Sequence, residues 1–308
     1  MIMVDGGRVE IWTDGTLVVQ ACEEAGTVRV VRDFDVIGEA KPEHPLGWET
    51  PLAVDVEADR IWAGHRLQEF RLSDLSPVTV HEGVVWRVAA LGGGRLAAVL
   101  PPVDGVCRLA VGRPGAWERE VVLDDLGDAV PGLAATSQEP FSRAIGDPTL
   151  TVTENGLVVA DGRRGVVAHF TADLEPLGLW HSGGCDETEL IGYATRRGVL
   201  VTARWAARES HVGLLTADGP EHLCDGNGVF AVPATGGRFW MAGWFEVALV
   251  TYDGETVASV QGPSGMARAV HASGNRCAIG GAGFLSIAVA AGDEVTLRAV
   301  GVEDKVDL

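Results

Sequence analysis

The chain is 308 residues long and carries 43 acidic against 24 basic side chains, a net charge of −19 at neutral pH. A surface that negative repels phosphate backbones and anionic lipid, so neither nucleic acid nor a membrane surface is expected as a partner. Hydrophobic residues make up 46% of the chain, ample for a core, yet no uninterrupted apolar run approaches the ~18 residues of a membrane span.

Met1 to Glu10 lacks the basic start and apolar centre of a signal peptide. The five cysteines, Cys22, Cys107, Cys185, Cys224 and Cys277, form no CxxC pair and read as reduced thiols, which implies a cytoplasmic protein. Lys41 and Lys305 are the only lysines, a usage that points to a GC-rich bacterial genome.

Apolar runs of four to six residues, rich in β-branched side chains and bounded by Gly, Asp, Asn or Pro, predict strands and no helices. The first blade-like group is Val9-Trp12, Leu17-Ala21, Val28-Val31 and Val36-Ala40. The second is Leu52-Val56, Ile61-Ala63, Glu69-Leu72 and Val78-Val80, and the third Val84-Leu91, Leu96-Leu100, Cys107-Val111 and Trp117-Leu123. The fourth opens near Leu150-Thr153, then runs through Leu157-Ala160, Val166-Phe170 and Leu177-Trp180, with the Asn155-Gly156 pair as its first turn. The fifth is Leu190-Thr195, Val199-Ala203, Val212-Leu215 and His222-Cys224. The sixth is Val229-Val232, Phe239-Ala242, Val247-Tyr252 and Val257-Val260, and the seventh Ala269-Ala272, Cys277-Ile279, Leu285-Ala290 and Val295-Val300.

The first apolar residues of the second strands are Leu17, Ile61, Leu96, Leu157, Val199, Phe239 and Cys277, spaced by 44, 35, 61, 42, 40 and 38 positions. Four strands recurring at a period near 40 predict an all-β, seven-bladed β-propeller in one domain; a pair of β-sandwiches would not keep that period. The predicted blades span 4–43, 49–83, 84–125, 148–183, 188–226, 228–262 and 266–304. The 61-residue interval holds an insertion, 124–148, with three prolines and no β rhythm, which reads as a lid over part of the channel mouth.

The stretch Gly156 to Leu177, G-L-V-V-A-D-G-R-R-G-V-V-A-H-F-T-A-D-L-E-P-L, resembles an NHL repeat. His81 to Val99, H-E-G-V-V-W-R-V-A-A-L-G-G-G-R-L-A-A-V, is similar to the WD40 pattern of a histidine, an inner strand and a glycine turn. Arg71-Leu-Ser-Asp-Leu75 occupies the place of the WD40 Trp-Asp pair without its tryptophan. These degenerate motifs cover the chain as a repeat pattern and imply the propeller fold; the fold hosts both binding and catalysis.

In WD40-like propellers the inter-blade loops and the loops between second and third strands emerge on one face. Here those loops include 43–49, 65–67, 81–86, 181–189, 204–211 and 243–246. They carry Trp48, Arg66, Trp86, Arg204, Trp205 and Trp244, residue types that dominate interfaces when buried, and with His65 these are the candidate binding residues. The expected function is therefore a module that binds a protein, a peptide or a small-molecule ligand through this face. The alternative is a metal-assisted lyase or hydrolase at the channel mouth, with ligands drawn from His44, His65, His81, His181, His211, Asp186 and Glu189. No fixed metal spacing, GxSxG, HExxH or Walker motif occurs, so no cofactor is predicted, and a divalent transition metal belongs to the alternative alone.

Overall fold

Valine-, leucine- and alanine-rich runs favour extended backbone, and the glycines between them supply the tight reversals that antiparallel strands need. The computed structural model describes residues 9–46, 50–103, 106–123, 148–161, 165–181, 188–205, 209–243, 245–263, 265, 267–281 and 284–300. Its elements are 28 strands, and no α-helix occurs among the described residues. Most of the insertion, and Met1 to Asp5, lie outside the described residues.

Blade 1 comprises β1 (Val9–Thr13), β2 (Leu17–Cys22), β3 (Thr27–Arg32) and β4 (Asp35–Ala40). Blade 2 comprises β5 (Leu52–Asp55), β6 (Arg60–Ala63), β7 (Gln68–Arg71) and β8 (Pro77–Val80). Blade 3 comprises β9 (Arg87–Gly92), β10 (Arg95–Val103), β11 (Val106–Arg113) and β12 (Ala116–Val122). Blade 4 comprises β13 (Thr149–Thr153), β14 (Gly156–Asp161), β15 (Val166–Phe170) and β16 (Pro176–His181). Blade 5 comprises β17 (Thr188–Thr195), β18 (Gly198–Trp205), β19 (Glu209–Thr216) and β20 (Gly219–Gly226). Blade 6 comprises β21 (Phe230–Pro233), β22 (Arg238–Ala242), β23 (Glu246–Thr251) and β24 (Thr256–Gln261). Blade 7 comprises β25 (Ala269–Ser273), β26 (Arg276–Gly281), β27 (Phe284–Ala291) and β28 (Glu294–Ala299).

Every sheet is antiparallel and pairs its four strands in chain order. The inner strands β1, β5, β9, β13, β17, β21 and β25 each touch the next, and β25 touches β1, so the ring is closed. The molecule is a seven-bladed propeller, as the 40-residue period predicts. Several boundaries differ from the sequence reading, two of them for identifiable reasons. The inner strand of blade 3 begins at Arg87, because Val84 to Trp86 form the loop that enters it. The outer strand of blade 5 runs over Gly219–Gly226, because its ladder continues through exposed polar residues that carry no apolar signal.

The core consists of seven apolar clusters, one between each pair of neighbouring blades. Second strands are sandwiched, and their alternate residues serve opposite neighbours. In β14, Leu157 and Val159 pack with blade 3, whereas Val158 and Ala160 pack with blade 5. That two-sided burial explains why these strands read as continuous apolar runs and not as alternating ones. Outer strands such as β4 and β28 are mostly exposed.

The seam between blades 7 and 1 has the same construction as the other interfaces. Val9, Ile11, Val18 and Val31 pack on Ala269, Ala278, Leu285 and Ile287. Among the described residues no strand is exchanged across the seam, and hydrogen bonds cross it from Thr13 N–H to His271 Nδ1 at 3.2 Å and from the Gln20 amide to the Phe284 carbonyl at 3.5 Å. Close approach here depends on Gly280, where a Cβ would lie 2.2 Å from Ile11 Cδ1. Between blades 4 and 5 the inner strands are laced by hydroxyls. Thr149, Thr151 and Thr153 of β13 donate to the carbonyls of Leu190, Gly192 and Ala194 of β17.

Candidate functional site

Strand direction places the inter-blade loops and the loops between second and third strands on one face, at the end where each inner strand begins. Several predicted site residues gather near that end, though not into one centre. Trp48, Trp244 and Asp186 lie outside the described residues, as do the side chains of His181 and Trp205, whose backbones end β16 and β18.

The histidines of blade 2 are engaged separately. His65 Nδ1 donates to the Val85 carbonyl at 2.7 Å, and Val85 N–H returns a bond to the His65 carbonyl at 2.9 Å, stapling a blade 2 loop to blade 3. His81 donates to Glu69 Oε2 at 2.7 Å, and the same carboxylate receives Trp62 Nε1 at 3.3 Å and Arg60 Nε at 2.6 Å. His44 is held through its backbone, whose N–H and carbonyl are both bonded by the buried Gln68 amide. Beside His81 a small pocket of about 30 Å³ is lined by Leu67, Val85 and Trp117; it has room for about two waters. Arg66 is exposed, and Trp86 is half-buried against the core between blades 3 and 4.

At the channel mouth of blade 5 the arrangement is more specific. Glu189 on β17 pairs in register with Arg204 on β18, and their side chains meet at 2.7 Å. The Arg204 guanidinium is buried and sits 3.9 Å above the Phe230 ring of blade 6, a cation–π contact. Burial draws its pKa down and the Glu189 carboxylate pulls it back up. Among the described residues its Nε has no hydrogen-bond partner. The Glu189 side chain, by contrast, is 49% exposed. A planar cation wedged between blades thus holds a carboxylate at the mouth with its outer side facing solvent.

Deeper along the same strand, the Tyr193 hydroxyl donates to the Val270 carbonyl of blade 7 at 3.5 Å, so this side chain spans from blade 5 past blade 6. Burial pushes the phenol pKa up, and the negative charge of Glu10 adds to the effect, so Tyr193 remains a neutral donor. His271 lies near Trp12, ring centroids 6.3 Å apart, and burial lowers its pKa to about 4. It is neutral at pH 7 and accepts the Thr13 N–H.

Sequence reasoning missed one constellation. His211 of β19, a metal candidate from the sequence, meets His222 and Asp225 of β20, and among the described residues these three bring potential ligand atoms within 4.8 Å of one another. The sequence shows His222 and Asp225 three apart on a strand, a spacing that ordinarily puts them on opposite faces. A register shift between β19 and β20 brings them together.

These sheets, the closed ring and the channel define the class: a seven-bladed β-propeller. No protein-family model matches the chain, and no curated protein matches its sequence. Solved structures resemble it in fold. The computationally designed Ika8 protein is 12% identical with a TM-score of 0.60, over 92% of this chain and 96% of that one. KlHsv2 carrying a Gly-Ser linker in place of loop 6CD is 9% identical with a TM-score of 0.56, over 95% and 98% of the two chains. Dihydro-heme d1 dehydrogenase NirN in complex with DHE is 15% identical with a TM-score of 0.54, over 96% of this chain and 66% of that one.

Proposed function

We infer that the chain is a binding propeller that receives a basic peptide or protein segment on the face bearing its inter-blade loops. The observation that carries this reading is the half-exposed Glu189, clamped by Arg204 over Phe230 at the channel mouth of a molecule of net charge −19. A carboxylate held in place before binding loses little side-chain entropy on pairing with a cation, and the surrounding negative field speeds encounter with a basic partner. Arg66 and Trp86 lie in loops of the same face, and the backbone of Trp205 reaches it at the end of β18. Against the metal-assisted enzyme stands the separate use of His44, His65 and His81, each engaged with a different partner of the scaffold.

The test is fluorescence anisotropy with labelled Lys/Arg-rich and Glu-rich peptides of equal length. The basic set should bind and weaken between 50 and 300 mM salt, within roughly the range where screening shortens from well over 10 Å to below it. Glu189→Gln, Trp86→Ala and Trp205→Ala should each cost about 1–2 kcal/mol of affinity. Equal binding of both peptide sets, or no effect of Glu189→Gln, would remove the basis for this reading.

A further inference from the structure

The rim of blade 5 carries an arrangement that peptide binding at the channel mouth does not use. His211 sits on β19 directly opposite Asp225 on β20. The register then shifts between Val212 and Gly213, so that Gly213 faces His222 and one residue of β20 is bulged out. That extra residue rotates His222 onto the face occupied by His211 and Asp225. Outer-strand bulges occur in other blades too, but there they leave only one or two pairs before the turn; in blade 5 four pairs follow, which sets the bulge deep in the ladder.

We propose that His211, His222 and Asp225 form a binding site for a divalent first-row transition cation of the zinc class. His211 Nδ1 and His222 Nε2 lie 2.6 and 2.9 Å from the same oxygen, Asp225 Oδ1, and all three ligand atoms lie within 4.8 Å of one another. Ligand atoms bound at about 2.0–2.2 Å to a tetrahedral or octahedral metal stand roughly 3 to 3.5 Å apart. The cluster therefore reaches coordination geometry by side-chain rotation alone, with the backbone kept in place. Two imidazoles and one carboxylate select zinc, cobalt, nickel or copper over magnesium and calcium, which prefer all-oxygen shells.

The rest of the hairpin favours a cation. The side chains of His211, His222 and Asp225 are each about 60% exposed, open to an ion from solvent. The carboxylates of Glu209, on the same strand as His211, and of Glu221, next to His222, are exposed and add to the negative potential. Without a metal the two imidazoles hydrogen-bond to the one oxygen Asp225 Oδ1, so the three ligand groups are already gathered. Three protein ligands leave the remaining coordination positions to water or to a group from a bound molecule.

The experiment is calorimetric titration of the full chain, purified without a histidine tag and dialysed against chelator, with ZnCl2 and CoCl2. MgCl2 and CaCl2 serve as controls. One equivalent of zinc or cobalt should bind, with no uptake of magnesium or calcium, and cobalt should give the visible spectrum of an N/O-ligated ion. His211→Ala, His222→Ala and Asp225→Asn should each lower affinity at least about tenfold, the lower end of what losing even a supporting partner costs. Asp218→Asn, an exposed carboxylate of the same hairpin, should leave it unchanged. Melting temperatures matching the wild type show that each variant is folded. Absence of zinc and cobalt binding, equal uptake of magnesium, or an affinity indifferent to all three substitutions would overturn the site.

Discussion

Gly280 and Ile11 are 269 positions apart in sequence and meet only if the ring closes as described. Gly280→Ala puts a methyl carbon 2.2 Å from Ile11 Cδ1, against the 3.5–4.0 Å of an ordinary carbon contact. The overlap exceeds 1 Å, too much for a packed interior to absorb without moving Ile11 or β1, and overpacking of this kind costs about 1–3 kcal/mol. At the roughly 2–4 °C per kcal/mol of larger domains, the melting temperature should fall by about 2–12 °C. Ile11→Val alone removes Cδ1 and costs about 0.5–1.5 kcal/mol. In the double variant the new methyl occupies the space Cδ1 has left, and its next neighbours, Ile11 Cγ1 and Val9 Cγ1, lie at 3.1 Å. The two costs should therefore fall short of their sum by at least about 0.5 kcal/mol. Urea unfolding followed by circular dichroism, with unchanged slopes, measures each term. Strictly additive costs would mean that the two residues do not meet, and the closure described here would be wrong.

Two further predictions concern the hydrogen bonds of the ring. His271 is neutral when folded, with a pKa of about 4 against 6.5 for an ordinary imidazole, so the unfolded chain binds the extra proton between those values. Stability from this group is complete above pH 6.5 and is lost as pH falls toward 4, on the order of 3 kcal/mol at most. His271→Asn keeps an acceptor for Thr13 N–H without titrating; its melting temperature should fall less steeply over that window, and equal slopes would refute the assignment. Glu69→Gln deprives Arg60, Trp62 and His81 of their shared carboxylate and should cost about 1.5–3 kcal/mol in urea unfolding; a loss under about 0.5 kcal/mol would show that the network contributes nothing.

The blade count was legible because the second strand of each blade is buried on both sides. Leu17, Ile61, Leu96, Leu157, Val199, Phe239 and Cys277, the residues that set the period, are all buried. The sequence reading makes Arg204 a loop binding residue and Glu189 a candidate metal ligand; both lie on strands, β18 and β17, and the contact between them was not legible. What the pattern hid depends on neighbours distant in sequence. Tyr193 looks like any strand residue until its hydroxyl is seen at Val270, and Thr149, Thr151 and Thr153 look like ordinary β-formers until they meet the carbonyls of the next blade. The histidines of blade 2 drew attention by residue type, yet their hydrogen bonds are made within the scaffold. His222 and Asp225 escaped notice because a one-residue register shift leaves no mark in hydrophobic periodicity.

Each blade is a contiguous stretch of chain, from Val9–Ala40 through Ala269–Ala299, and among the described residues none borrows a strand from another. A ring latched by an exchanged strand has one privileged joint, and moving the chain ends elsewhere would tear a sheet in two. Here apolar faces wedge each described blade against the next, and β1 meets β25 as other neighbouring inner strands meet. Circular permutation by whole blades would leave every sheet intact, and duplication of a blade would add a complete unit whose two faces find partners at once. Such a ring can change length or starting point by the gene, one four-stranded module at a time, without inventing a new way to close.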